Sequence, residues 1–239
     1  MKKLLLFFGC FISVLSAAQE IDKPYDFPIK IGTKQWAELT SSKQMDEVCV
    51  IPEDVLNSLS TKALLITCIN YPRLLDIFLS SNLQTGFNFN ANHFAGLRYL
   101  LKKPDLGDVL LKTYIDFDIS SSIIDGYNRK LKYIQVAFLE LLISQESIIN
   151  AFNKSDKLKL LSQAIKNLEQ RKKYGDSLFR QRTTALILSR ILNSNGVELS
   201  QIDIYGNDVY KIFNTNVVIL DTTIIDTILI ESKNLLSQE

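Results

Sequence analysis

An all-α, multi-helical fold is what this sequence predicts, and three observations carry the prediction. Apolar residues recur at three- and four-residue spacing over most of the chain, as in Leu158, Leu161, Ile165 and Leu168. Helix-start and helix-stop chemistry punctuates that spacing: Pro52 and Pro104 stand at starts, Pro72 and Gly175 at ends. Strand-like alternation is confined to short pieces of the C-terminal third.

The first element reads as a leader. "MKK" supplies two positive charges, "LLLFFGCFISVL" an unbroken apolar run, and "SAA" small residues at Ser16 and Ala18. That order is the order of a secretory signal peptide, with cleavage expected after Ala18. The run is shorter than the roughly 20 apolar residues that span a bilayer. A lipoprotein would acylate Cys10, but half the apolar run lies downstream of that position; a buried N-terminal helix would be a third reading. Cleavage leaves 221 residues, expected to form one helical domain over 19–239, and removes Lys2 and Lys3, so 25 basic residues face 26 acidic ones. Such a balance gives no global field for nucleic acid or anionic membrane. No later stretch has spanning length, because Asp221 and Asp226 interrupt "VVILDTTIIDTILI". The chain is therefore expected to be a soluble exported protein, periplasmic or extracellular.

The lead-in "QEIDKPYDFPIKIG" holds two prolines and a glycine and predicts irregular backbone. Thr33 can cap a short helix, "KQWAEL". "IPEDVLNSL" follows, with Glu53 and Asp54 in the first turn, where acids suit the helix dipole. Ser60 caps residues 61–70, which Pro72 halts; "RLLDIFL" is a short apolar piece, and "SSNLQTGFNFNAN" reads as a polar loop. Helices are then expected in "NHFAGLRYLLKK" and in "PDLGDVLLKTYI". The polar "DFDISSSIIDG", residues 116–126, is the one candidate sub-boundary. From Arg129 to Ile143 the chain is apolar nearly all round, which marks a helix buried on most sides. "SQESIINAF", residues 155–174 and "DSLFRQRTTALILSRIL" are the next helices, with Gly175 in the C′ position after the second. "QIDIYGNDVYKIF" alternates across a turn-like "YGND", so a small β-hairpin is expected near residues 200–213. "VVIL" could be a strand, yet Ile225, Ile228, Leu229 and Leu236 keep helical spacing behind Asp221 as a cap. Between residues 33 and 115 the pieces resemble successive helical hairpins, either an α-solenoid or an irregular bundle, with no repeat period.

Export changes the meaning of the two cysteines left after cleavage. In an oxidising compartment such a pair usually bridges. Cys68 shares a helix face with Leu64, Leu65 and Ile69, while Cys49 sits in the extended-looking "VCVI". A buried Cys49–Cys68 disulfide is the expectation, closing a loop of about 20 residues and worth roughly 3 kcal/mol. Two separate buried thiols are the alternative. A catalytic thiol is the weakest reading, since His93, the only histidine, has no sequence link to either cysteine.

Catalytic signatures are absent: there is no G-x-S-x-G, H-E-x-x-H, phosphate-binding glycine loop or C-x-x-C. One histidine excludes a His-rich zinc site, and no cofactor is expected. His93 itself reads as a polar residue in the first turn of a helix. Asp116, Asp118 and Ser120 have the first oxygens of an EF-hand loop, but Ser121 and Tyr127 stand where glycine and glutamate are required. Paired carboxylates for glycoside hydrolysis depend on the fold and are not legible here. Lys166, Arg171, Lys172, Lys173, Arg180, Arg182 and Arg190 form a basic cluster with Tyr174 and Phe179 between them. It reads either as a patch for an anionic glycan, headgroup or acidic partner, or as a solvated helix face.

"FPIKIGTKQWAEL", "VCVIPEDVLNSLSTKALLITCINYP" and "GFNFNANHFAGLRYLLKKPDLGDVLLKTY", together roughly residues 27–115, resemble a recurring arrangement in exported bacterial proteins of uncharacterised function. The resemblance implies export and a helical N-terminal half, and supplies no functional residue. The resulting expectation is a non-catalytic binding or scaffold module with a protein or glycan partner in the cell envelope. A cell-envelope or extracellular hydrolase using dispersed Asp and Glu residues is the alternative. Two carboxylates with perturbed pKa values in one pocket would favour the enzyme; an aromatic groove without them would favour the binder.

Overall fold

The computed structural model describes residues 21–117, 128–201, 203, 205–219, 221 and 223–238. The leader with Cys10, and most of the 116–127 stretch read as a boundary or calcium-like loop, lie outside them. Among the described residues there are fourteen α-helices and no strand. None of these helices is long and apolar enough to cross a membrane.

Eight helices build the N-terminal half: α1 (Lys34–Ala37), α2 (Ser42–Val48), α3 (Glu53–Ser58), α4 (Thr61–Ile69), α5 (Asp76–Leu79), α6 (Leu83–His93), α7 (Ala95–Leu100) and α8 (Leu106–Asp116). Side-chain caps start half of them. The side chains of Thr33, Ser60 and Asn82 accept from backbone N–H groups of the first turns of α1, α4 and α6, and Ser41 with Gln44 closes a capping box on α2. The capping box corrects the reading of "VCVI" as extended, because Cys49 is the C-cap of α2. Helix α6 corrects the polar loop expected over 80–92. Its glycine is a packing device: a Cβ on Gly86 would lie 2.4 Å from the Ile77 carbonyl oxygen, so only glycine lets α5 and α6 approach this closely.

The C-terminal half holds α9 (Asn128–Ile143), α10 (Glu146–Ala151), α11 (Lys154–Lys173), α12 (Leu178–Ser194), α13 (Val209–Asn216) and α14 (Ile224–Ser237). Every residue over 183–192 is buried, and α12 packs against α9, α10, α11, α13 and α14. A helix enclosed this way is the axis of a bundle. Contacts of α4 with α9 and of α6 with α13 join the halves through one hydrophobic core. In a solenoid each unit would meet only its neighbours, so the irregular bundle is the architecture.

Near residues 200–213, where a hairpin is expected, no strand forms among the described residues; only a short turn closes there, with the Asp203 N–H donating to the Asn207 carbonyl and the Val209 N–H to the Gln201 carbonyl, both at 2.9 Å. Asp203 accepts from the N–H groups of Tyr205 and Asn207 to make a tight turn, and Asp208 then caps α13 through the N–H groups of Tyr210 and Lys211. Val209, Tyr210 and Phe213 are buried at helical spacing, so the alternating pattern served a helix. Val217 closes α13 with φ 59°, a strained angle for a β-branched residue that full burial of its side chain maintains.

The lead-in is ordered without being helical. Ile21 N–H donates to the Ser58 carbonyl at 2.7 Å, Ser60 N–H donates to the Ile21 carbonyl at 3.0 Å, and Tyr25 N–H donates to Thr67 Oγ1 at 2.9 Å. With Phe27 buried, residues 21–31 lie as a strap against α4.

Candidate functional site

Two clefts adjoin in the N-terminal half and share Tyr71. The first, about 400 Å³, is walled by the strap, the end of α4 and α9, and is largely apolar, with Phe27, Ile69, Leu74 and Ile134 among its lining residues. The second, about 530 Å³, lies between the α2 end, Arg73, Asp76 and the α6–α7 junction. A larger hollow of about 710 Å³ beside α11 is a broad depression, lined by Ile115, Leu158, Lys154, Lys159 and uncharged polar residues, with no convergent chemistry. The two clefts fall within the roughly 300–1,000 Å³ of ordinary ligand sites.

Aromatic rings run through both. Tyr25 meets Phe27 edge-on at 5.2 Å, Phe27 lies 6.0 Å from Tyr71, and Tyr71 stacks on Phe94 at 3.9 Å with 13° between planes. Phe89 stacks on His93 at 4.0 Å across the second cleft. Phe89 is 59% exposed although its ring is apolar, and neighbouring Val50 is 65% exposed.

Arg73 organises the polar side of the second cleft. Its Nε donates to Asp76 Oδ2 at 2.8 Å and its Nη1 to the Ser42 carbonyl at 3.3 Å and to Asp46 Oδ1, and its Nη2 lies 2.6 Å from Asp76 Oδ2. Burial opposes the Arg73 charge, yet Asp76 and Asp46 outweigh it and hold the pKa above the ordinary arginine value. Both carboxylates of the cleft are thus committed to one guanidinium instead of being set apart for acid–base work.

Cys49 and His93 line the same cleft, a juxtaposition the sequence does not reveal. The Cys49 thiol is pushed up to about 11, chiefly by burial, with Arg73 opposing and Asp46 and Asp76 adding to the rise. It is protonated at neutral pH and is a poor nucleophile. His93 uses Nδ1–H to donate to the Phe89 carbonyl at 2.7 Å, and it terminates α6 instead of opening a helix. No hydrogen bond joins the Cys49 thiol to His93 among the described residues.

The expected Cys49–Cys68 disulfide is corrected: both thiols are free and buried. Cys68 sits in the hydrophobic core on α4, whereas Cys49 lies outside that core, beside Tyr71 and Arg73 at the cleft. Cys49, the C-cap of α2, and Cys68, within α4, thus face different surroundings.

The basic cluster is likewise not one surface. Arg171 is 1% exposed and donates to Glu140 and Asp176; Arg180 also donates to Asp176. Glu140, itself fully buried, accepts further bonds from Thr183 at 2.6 Å, Thr184 at 2.7 Å and Tyr114 at 3.4 Å. Burial opposes the Arg171 charge, but Glu140 foremost, then Tyr114, Tyr133 and Asp176, hold it cationic. Arg190 is also buried, where it donates to the carbonyls of Ser144 and Asn214 and to Gln84 Oε1. Burial pushes Arg190 down to about 10, because its partners are uncharged helix-end carbonyls and an amide. Lys172 pairs with Asp226, and Arg182 lies over the Phe179 ring at 3.7 Å. Lys166 and Lys173 stay exposed. Arg171, Lys172 and Arg190 of this cluster cross-link one helix to another.

Sequence reasoning missed Arg73, Asp46, Asp76, Tyr71, Phe89 and Phe94. Two signals were available: Ser41 three residues before Gln44 marks α2 and places Asp46 in its last turn, and Arg73 with Asp76 has i,i+3 ion-pair spacing. Among the described residues no group of three His, Cys, Asp or Glu side chains could hold a metal ion. The chain matches no protein-family model, no curated protein and no solved structure.

Proposed function

We propose that this chain is an exported, non-catalytic helical binding module whose partner in the cell envelope seats in the paired clefts astride Tyr71. The carrying observation is the aromatic series Tyr25, Phe27, Tyr71 and Phe94 lining two adjoining clefts whose carboxylate pair is already held by Arg73. Stacked and exposed rings supply contact area at low entropic cost and suit recognition. A thiol pushed up to about 11 and a histidine tied to a backbone carbonyl do not support nucleophilic catalysis. The leader over residues 1–18 and the resemblance of residues 27–115 support export.

The test is capture of partners from the native cell envelope by the mature protein, compared with Tyr71→Ala. The wild type should retain a partner that the variant loses, with the variant still folded by circular dichroism, and mass spectrometry should place the mature N-terminus at Gln19. Equal capture by both proteins would remove the clefts from the function. Turnover of an envelope polymer that Asp46→Asn abolishes would restore the hydrolase reading.

A further inference from the structure

We infer that the second cleft recognises a cationic side chain, an arginine or lysine presented by a protein segment; this rests on the binding reading above and names the ligand chemistry. Charge points that way. Apart from His93, the charged residues lining the cleft are two carboxylates, Asp46 and Asp76, against one guanidinium, Arg73. Hydrogen bonding agrees. Arg73 engages Asp46 through Oδ1 and Asp76 through Oδ2, while Asp46 Oδ2 and Asp76 Oδ1 accept no hydrogen bond among the described residues. Two lone-pair-rich oxygens therefore remain in a cleft whose guanidinium already spends four of its five N–H donors on Asp46, Asp76 and the Ser42 carbonyl.

The walls fit the same chemistry. Phe89, 59% exposed and stacked on His93 on one side only, offers an aromatic face at this cleft, and cations, planar guanidinium most of all, are attracted to such faces within about 6 Å. Arg73 is the resident example of a guanidinium held by these two carboxylates. An incoming cation would share the carboxylates with it and lie against the rings, and the cleft volume of about 530 Å³ leaves room for a long side chain. A neutral glycan could donate hydroxyls to the free carboxylate oxygens but would bring no opposing charge to them.

The experiment titrates the mature protein with Nα-acetyl-arginine amide, its uncharged isostere Nα-acetyl-citrulline amide, Nα-acetyl-glutamate amide and putrescine, read by amide chemical shifts. The arginine and not the citrulline compound should shift residues 42–50, 71–76 and 89–95, with an affinity that falls as salt is raised. Asp46→Asn with Asp76→Asn should weaken binding about tenfold. Arg73→Gln removes the resident cation and should tighten it about threefold, a change of sign that a purely structural ion pair would not give. Equal binding of arginine and citrulline amides in the cleft would overturn the cation inference while leaving the binding module intact. Preference for the glutamate compound, or weaker binding by Arg73→Gln, would overturn it as well, and tighter binding of putrescine than of the arginine amide would overturn the choice of a protein segment. Should the double carboxylate variant fail to fold, the arginine–citrulline comparison on the wild type still decides. No shifts in either cleft with any probe, together with failure of the Tyr71→Ala capture test, would refute the binding reading itself.

Discussion

The two halves of the molecule handle charge in opposite ways. Around α12, ionic groups are taken into the core: Glu140, Arg171 and Arg190 are all buried. Around Tyr71, ionic groups stay at the rim of open clefts: Asp46 and Asp76 keep 62% and 39% of their side-chain surface exposed, and both hold the less exposed Arg73. Helix length explains the division. Long helices α9, α11 and α12 lie side by side and leave no room, so a charge caught between them must be satisfied by neighbouring helices. The short helices α2, α5 and α7 end often, and their junctions leave hollows that side chains line without filling. Density of charge in the sequence is thus a poor guide to which charges reach the surface.

The sharpest way to break this contrast is to remove charge from both halves. Glu140→Gln keeps the shape but leaves Arg171 without its main counter-charge in a dry site, and should destabilise by about 3–5 kcal/mol in urea unfolding. Replacing the pair together, with Glu140→Leu and Arg171→Met, should cost much less than the single change. Asp76→Asn at the cleft rim should cost less than about 1 kcal/mol, because solvent screens that pair. Comparable losses at Glu140 and Asp76 would show that the halves do not differ in this respect.

Gly86→Ala tests whether the N-terminal half is packed tightly where it is not hollow. Alanine is the better helix former, yet its methyl would meet the Ile77 carbonyl. Forcing α5 away from α6 should cost about 1–3 kcal/mol in spite of the propensity gain. A stabilised variant would mean that α5 yields easily.

The cysteines give the finest comparison, one thiol per environment. Denatured, non-reduced protein should titrate two free thiols, and a count of zero would restore the disulfide. Cys68→Ser places a hydroxyl in the core and should cost about 1–3 kcal/mol, with Cys49→Ser at the cleft wall milder. Both thiols are raised above the ordinary value of about 9, Cys49 to about 11 and Cys68 further. A raised thiol in the folded state retains its proton after the unfolded chain has lost its own. Their contribution is therefore complete below pH 9 and is lost as pH climbs through about 11 for Cys49 and higher still for Cys68. In the Cys49→Ser, Cys68→Ser double variant the alkaline fall in stability should be shallower.

Helix existence was largely written locally in the chain, because apolar spacing, capping side chains and proline placement act within a few residues. The spans of α4, α9, α11 and α12 follow from that grammar, as does the stop at Gly175, whose φ of +71° suits glycine. Where local grammar was ambiguous the prediction failed. "NLQTGFNFNAN" carries a glycine that marks close helix packing as readily as a loop, and "DVYKIF" buries the same residues as a helix that alternation assigned to a strand. The site belongs to the second category entirely. Arg73, Asp46, Cys49 and His93 span 48 positions from first to last, and no local rule brings them together. Long-range packing of α2, α6 and α7 around Tyr71 does so. Packing also sends Arg171 and Arg190 inward, because a side chain's solvent exposure is decided by which helix lies opposite it, and a one-dimensional pattern of charges contains no record of its neighbours.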